Sequence, residues 1–285
     1  MRIQHNVTAL NAHRNLTNNN SALTKNLEKL SSGYRINRAG DDAAGLAISE
    51  KMRAQITGLT AAKKNAEDGV SLVQTAEGAL TEVHSMLNRM VNLAIQSANG
   101  TYSDENRQEM QKEINALNEE IDRIGNTSNF NGTKLFDGST ADVALHVGET
   151  GSDNNQIKVT LAKMQSSSIS KIGMDGKVSD TYDVSAIDLT TADSAKAAVT
   201  VINNAIDAIS SMRSTFGALQ NRLEHTINNL SVQNENITAA ESRIRDVDMA
   251  EEMMAYTKNN ILVQASQAML AQANMVPQGV LQLLQ

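Results

Sequence analysis

Cysteine and tryptophan are absent from this 285-residue chain, proline occurs once, and aromatic residues make up 2% of it. Without cysteine there is no disulfide, no thiolate nucleophile and no Cys-bound zinc. Without large rings, a compact enzyme interior of this size loses the side chains that normally supply much of its buried area. The 40% hydrophobic content instead comes mainly from Ala, Leu, Ile, Val and Met, which suits thin packing between helices. No segment approaches the roughly 18 consecutive apolar residues of a membrane span, so no membrane partner is expected. The net charge of −7 and the few rings available for base stacking argue against nucleic acid. The first thirty residues lack a continuous apolar core and an A-x-A-like cleavage site, so the expectation is export, if any, without a cleaved signal peptide.

What is present is helical periodicity on an unusual scale. From residue 43 to about 98, apolar residues recur at helical intervals through Leu46, Met52, Ile56, Leu59, Val70, Val73, Leu80, Val83, Leu87, Met90 and Ala94. One helix of that length would measure about 80 Å. Asp41 or Asp42 is placed to cap its start and Asn99-Gly100 to stop it. Gly58, Gly69 and Gly78 weaken it and leave a break open. A second helix is expected after Ser103, with Asp104 and Glu105 on the positive end of its dipole, running to Ile124 before Gly125. Its stripe of Met110, Ile114, Leu117, Ile121 and Ile124 has the 4-3-4-3 spacing of a coiled-coil seam. A third long segment runs from about Thr191 to Val247. The only proline, Pro277, lies beyond all of these.

Residues 126 to about 190 change character. Asn, Gly, Ser, Thr and Asp dominate, and the alternating runs 143–147 and 157–161 predict a hairpin. The Ser166–Ser168 region and the stretch through Asp188 read as surface loop or short strand. The predicted fold class is therefore mainly α: long helices in a coiled-coil rod, with a small β-hairpin region in the middle of the chain.

The two ends carry apolar residues that such a rod cannot cover by itself. Ile3, Val7, Leu10, Leu23 and Leu27 form a stripe near the start, although Asn18, Asn19 and Asn20 give that segment weak helix propensity. Met254, Ile261, Leu262, Met269 and Leu270, near the other end, spread over more than one face. These ten residues are the candidate self-assembly interface. The ends are expected to pair with each other and with other copies, in head-to-tail contacts that propagate into a helical homopolymer.

No residues stand out for chemistry. Asp41-Asp42 has no third ligand at metal spacing and reads as a helix cap. The five histidines form no ligand motif, and the thirteen methionines read as flexible filler between helices. No nucleophile, phosphate loop or paired carboxylates appear, so neither an enzyme nor a cofactor is expected.

Four stretches then resemble a known family. MRIQHNVTALNAHRNL at the start, LEKLSSGYRINRAGDDAAGLAISEKMRAQI at 27–56, NTSNFNGTKLFDG at 126–138 and ESRIRDVDMAEEMMAYTKNNILVQASQAMLAQAN at 241–274 are similar to the terminal regions of bacterial flagellin. The resemblance implies an inner coiled-coil domain from residues 1–42 and 241–285, a helical spoke domain from 43–138 and 191–240, and a short variable region at 139–190 with no large outer domain. It implies a subunit of the extracellular flagellar filament serving swimming motility. It also implies a flagellar export chaperone, a filament cap and hook-associated proteins as partners. In some members a flagellin-sensing Toll-like receptor contacts the spoke, and Arg89, Leu93 and Glu113 fall on matching positions here. Where strong ligands of that receptor carry a second Arg and a Glu, this chain has Val91 and Asn92. Two alternatives stay open: a hook-filament junction protein built on the same terminal coiled coil, and a chain acting chiefly as a receptor ligand or adhesin.

Overall fold

The computed structural model describes residues 6–138, 142–172 and 178–283. Five helices carry most of the chain: α1 (Val7–Ser32), α2 (Ala43–Ala98), α3 (Asp104–Thr127), α4 (Ala192–Arg245) and α5 (Met249–Leu283). Between α3 and α4 lie seven short strands: β1 (Asn129–Phe130), β2 (Thr133–Lys134), β3 (Asp142–His146), β4 (Gln156–Thr160), β5 (Met164–Gln165), β6 (Ser168–Ile172) and β7 (Val178–Tyr182). By packing, the chain forms two units, one of Met1–Ile56 with Glu235–Gln285 and one of Thr57–Asn234. The divisions fall inside α2 and α4. A helix carries no sign of where its tertiary partners change.

Helix α2 starts where expected: the Asp42 carboxylate accepts a hydrogen bond from the Gly45 N–H at 2.9 Å, covering a first-turn donor that has no helical partner. The helix is unbroken through all three glycines. Gly69 is buried under the Leu145 side chain of β3, and the backbone of Glu149 passes close to Gly58. Those two glycines therefore admit another segment rather than break the helix, while Gly78 faces open space.

The core of the larger unit is a seam between helices. Val73, Leu80, Leu87 and Met90 of α2, Ile114 and Ile121 of α3, and Ile202, Ile209, Met212 and Phe216 of α4 are all fully buried. Each such side chain contributes roughly 1.5–3 kcal/mol from burial. The stripe expected on α3 lies as read, with Met110, Leu117 and Ile124 packed at the margin of that core.

Helix α3 ends later than the sequence suggested. It passes Gly125 and stops at Thr127, because Gly125 is a place of contact and not a cap. A Cβ there would run into the carbonyl oxygen of Met164 on β5. The same side of α3 ties down the segment that follows. Asp122 accepts from the Ser166 N–H at 2.6 Å and from its hydroxyl at 2.8 Å. Asn118 donates to the Val184 carbonyl at 3.1 Å. Gln111 donates to the Ile187 carbonyl at 2.9 Å and accepts from the Leu189 N–H at 2.7 Å.

The predicted hairpin is present: β3 and β4 pair antiparallel, with Val143 opposite Val159 and Leu145 opposite Ile157. Two further sheets went unread. Strands β5, β6 and β7 form an antiparallel meander in the segment read as loop or short strand. The two-residue strands β1 and β2 flank Asn131 and Gly132, both at positive φ (49° and 81°). That is the Asn-Gly hairpin turn whose twist matches paired strands.

Gly125 and Gly78 make a matched test. Gly125→Ala should lower stability by about 1–3 kcal/mol through overpacking against β5. Gly78→Ala should raise it by up to about 1 kcal/mol, since only helix propensity changes. Urea unfolding followed by circular dichroism measures both, and equal effects would place Gly125 away from any close contact.

Candidate assembly interface

Helices α1 and α5 pack on each other and run antiparallel. Asn6 donates to the Ala273 carbonyl at 2.8 Å, Asn19 to the Ser266 hydroxyl at 3.1 Å, and Lys29 lies 3.7 Å from Glu252. The seam follows heptad spacing. On α1 it is Ala9, Ala12, Leu16, Asn19, Leu23, Asn26 and Leu30, all half-buried except Asn26, which is buried. On α5 it is Glu252, Tyr256, Asn259, Val263, Ser266, Leu270 and Ala273, all half-buried. Asn6 caps α1 by accepting from the Ala9 N–H at 3.0 Å, and Gly33 at φ 75° closes it by donating to the Lys29 carbonyl.

The remaining apolar residues of this pair face outward. Val7 (63% exposed), Leu10 (71%), Leu27 (54%), Met254 (68%), Ile261 (60%), Met269 (66%) and Leu262 (38%) leave the seam. Of the other predicted interface residues, Leu23 and Leu270 sit half-buried on the seam itself, and Ile3 lies outside the described residues. Met249, Met275 and Val276 are exposed as well and were not singled out from the sequence. Soluble monomers rarely present so many large apolar side chains on one element, and such faces mark association surfaces.

A polar junction joins the base of this pair to the neighbouring turns of α2 and α4. Residues 33–35 run as a short antiparallel partner to 245–247. The Arg35 N–H donates to the Arg245 carbonyl at 2.7 Å, the Val247 N–H donates to the Gly33 carbonyl at 3.1 Å, and Tyr34 bridges Asp246. The Arg245 guanidinium stacks over the Tyr34 ring at 4.8 Å and reaches Glu50 at 2.7 Å. Ser49, fully buried, donates to Glu241 at 3.0 Å. None of this set was flagged in advance, because the partners that touch lie 190 or more residues apart and follow no local pattern.

Asp41 works beside this junction. Its carboxylate accepts from the Asn37 and Arg38 N–H groups at 3.2 and 3.0 Å. Those bonds, donated by Arg38 first and then Asn37, hold its pKa below the ordinary 3.8. Of the pair Asp41-Asp42, Asp42 caps the helix and Asp41 orders the preceding turn.

On the larger unit, Arg89 and Glu113 form a two-pronged pair between α2 and α3, at 2.7 and 3.1 Å, with side chains 52% and 42% exposed. Leu93 does not share that surface. It is 2% exposed and belongs to the core, so in this fold it supports the helix from beneath.

Outward apolar stripes on a helix pair with little interior are the mark of a structural, associating protein. The family model of the bacterial flagellin N-terminal helical region matches residues 3–141, and that of the C-terminal helical region matches residues 199–284. The chain is 54% identical to flagellin of Bacillus subtilis and 53% identical to flagellin of Halalkalibacterium halodurans, in each case over the whole of both chains. A crystal structure of Bacillus cereus flagellin is 30% identical and covers 62% of this chain and 94% of its own, with a TM-score of 0.47. This chain belongs to the bacterial flagellin family. It is a structural subunit of the flagellar filament, not an enzyme, and it polymerises with copies of itself.

The Asp41 geometry has a pH consequence. A carboxylate with a lowered folded-state pKa contributes stability that is complete above its unfolded value and is lost as pH falls through the folded one. The Asn37 and Arg38 amide resonances should therefore shift together in an NMR titration, with a midpoint below 3.8. A midpoint at or above that value would remove Asp41 from this role.

Proposed function

We propose that the outward faces of α1 and α5 are the surfaces through which successive subunits add to the filament. The observation that carries this reading is the exposure of Val7, Leu10, Leu27, Met254, Ile261, Leu262 and Met269 on a two-helix pair that has one seam and no other place to bury them. A neighbouring subunit removes that surface from water at about 25 cal/mol per Å². On this reading residues 1–42 and 241–285 form the inner coiled-coil domain, 43–138 and 191–240 the spoke, and 139–190 a short outward region. The filament is extracellular and serves swimming. The subunit travels out with an export chaperone, and it meets the filament cap and hook-associated proteins at the growing end.

A second role is supported by the Arg89–Glu113 pair: recognition of the spoke by a flagellin-sensing Toll-like receptor. The two side chains hold each other in a fixed, forked arrangement on an exposed face. A partner therefore meets a preorganised surface. Leu93 takes part through the helix it anchors.

Two measurements test these readings. Leu10→Asp combined with Met254→Asp should abolish elongation of filament seeds while circular dichroism of the spoke helices stays at wild-type intensity. Elongation at the wild-type rate would refute the assignment of these faces. For the receptor, Arg89→Ala and Glu113→Ala should each weaken capture of the purified subunit by roughly 5–30-fold, as loss of an exposed but preorganised charge pair does at an interface. Equal retention of both variants and wild type would refute that role.

A further inference from the structure

One position of the α1–α5 heptad is polar over its inner turns, giving way to Ala12 and Ala273 at the far end, and we infer that Asn19, Asn26, Asn259, Ser266 and Glu252 act as a register lock that selects this helix pairing over others. The inference rests on the assembly reading above. On α1, Asn19 and Asn26 are seven residues apart, and on α5, Glu252, Asn259 and Ser266 are also spaced by sevens. They meet across the seam: Asn19 donates to Ser266 at 3.1 Å. Oriented by its neighbours, the Asn26 amide nitrogen donates to Glu252 and to the Ala22 carbonyl, both at 3.0 Å. Its oxygen accepts from Asn259 at 3.0 Å and from the Tyr256 N–H at 3.2 Å. Asn26 is the one buried residue of α1, so the most enclosed point of the seam is an amide with both ends satisfied.

The apolar residues on these helices make such a lock necessary. Each helix carries outward Leu, Ile, Val or Met side chains that would accept almost any other apolar stripe, including the same helix of a second copy. A seam of Leu alone has no means of telling its own partner from those faces. A buried Asn does, because docking α1 on an apolar stripe leaves the Asn26 amide only the Ala22 carbonyl of its own helix and strips its oxygen of both partners. A single buried polar position is the best-attested device for fixing register and partner in coiled coils, at a cost in stability. The heptad repeat of the polar rungs sets which faces meet. The pairing of 33–35 with 245–247 at the base excludes a slip by a whole heptad.

The absence of native cysteine allows a direct test in the full chain. Asn19→Cys with Ser266→Cys, oxidised after seeded growth, reports the register as a bond within one subunit. With Asn26 and Asn259 intact, that bond should form within single chains in filaments. With Asn26→Leu and Asn259→Leu added, the helices should remain formed by circular dichroism. The subunits should then associate without seeds in sedimentation, seeded elongation should fall by about fivefold or more, and part of the cross-linking should move between chains. Normal elongation, no unseeded association and purely intrachain bonds in the Leu variant would overturn the lock. Loss of helix without unseeded association would assign the Asn residues to stability alone and would also overturn it. Failure of the unsubstituted chain to elongate seeds would instead count against the assembly reading.

Discussion

A pair of helices has one seam and no interior. Helices α1 and α5 each carry apolar residues on more than one face, and packing against each other covers only the seam. Everything characteristic of this chain follows from that constraint. Leu10, Met254 and Met269 are exposed, and on the proposed assembly reading they become, in the filament, the interior that the single subunit lacks. The same constraint accounts for the composition. Ala, Leu, Ile and Met pack between long helices at short separations, and only a few rings, such as Phe216, are taken into the core.

The larger unit meets the opposite problem, with enough helices for a core but an irregular segment of about fifty residues to hold against it. It does so with polar side chains on one side of α3. Gln111, Asn118 and Asp122 bind backbone groups of residues 166–189, and Gly125 lets β5 approach to contact. Backbone polar groups that would be unpaired beside a core are thereby satisfied, and the short strands need little burial of their own.

Periodic features were legible in the sequence. The extent of α2, the heptad stripe of α3, the β3–β4 hairpin and most of the outward residues on α1 and α5 are each written in local spacing, which a helix or strand converts directly into a face. Features that depend on distant pairings were not. Gly125 looked like a stop because a glycine near the end of a stripe usually is one, and its real constraint is a carbonyl forty residues away. Leu93 reads as a surface position by motif, yet the phase of α2 turns it into the core while Arg89, four residues earlier, stays outside. The Arg245–Tyr34–Glu50 junction has no local signal at all. The β1–β2 turn did have one, Asn131-Gly132, hidden in a stretch read only for family likeness.

The polar seam and the apolar exterior belong to one energetic arrangement. If the α1–α5 seam were fully apolar, the hairpin would be stable alone, and pairing with a neighbour would add little to its order. With polar side chains at Asn19, Asn26, Asn259, Ser266 and Glu252, the seam on the proposed reading contributes specificity and only modest net stability, since each buried hydrogen bond replaces one to water. On the proposed assembly reading, the larger burial term lies on the outer faces and is realised against another subunit. The folded hairpin and the polymer are therefore linked equilibria: anything that binds the ordered pair stabilises it by mass action. Order at the chain ends then depends on subunit concentration and on available filament ends. On the proposed assembly reading, such a subunit is weakly committed in solution and firmly committed at a filament tip, where the seam and the outer faces are satisfied together.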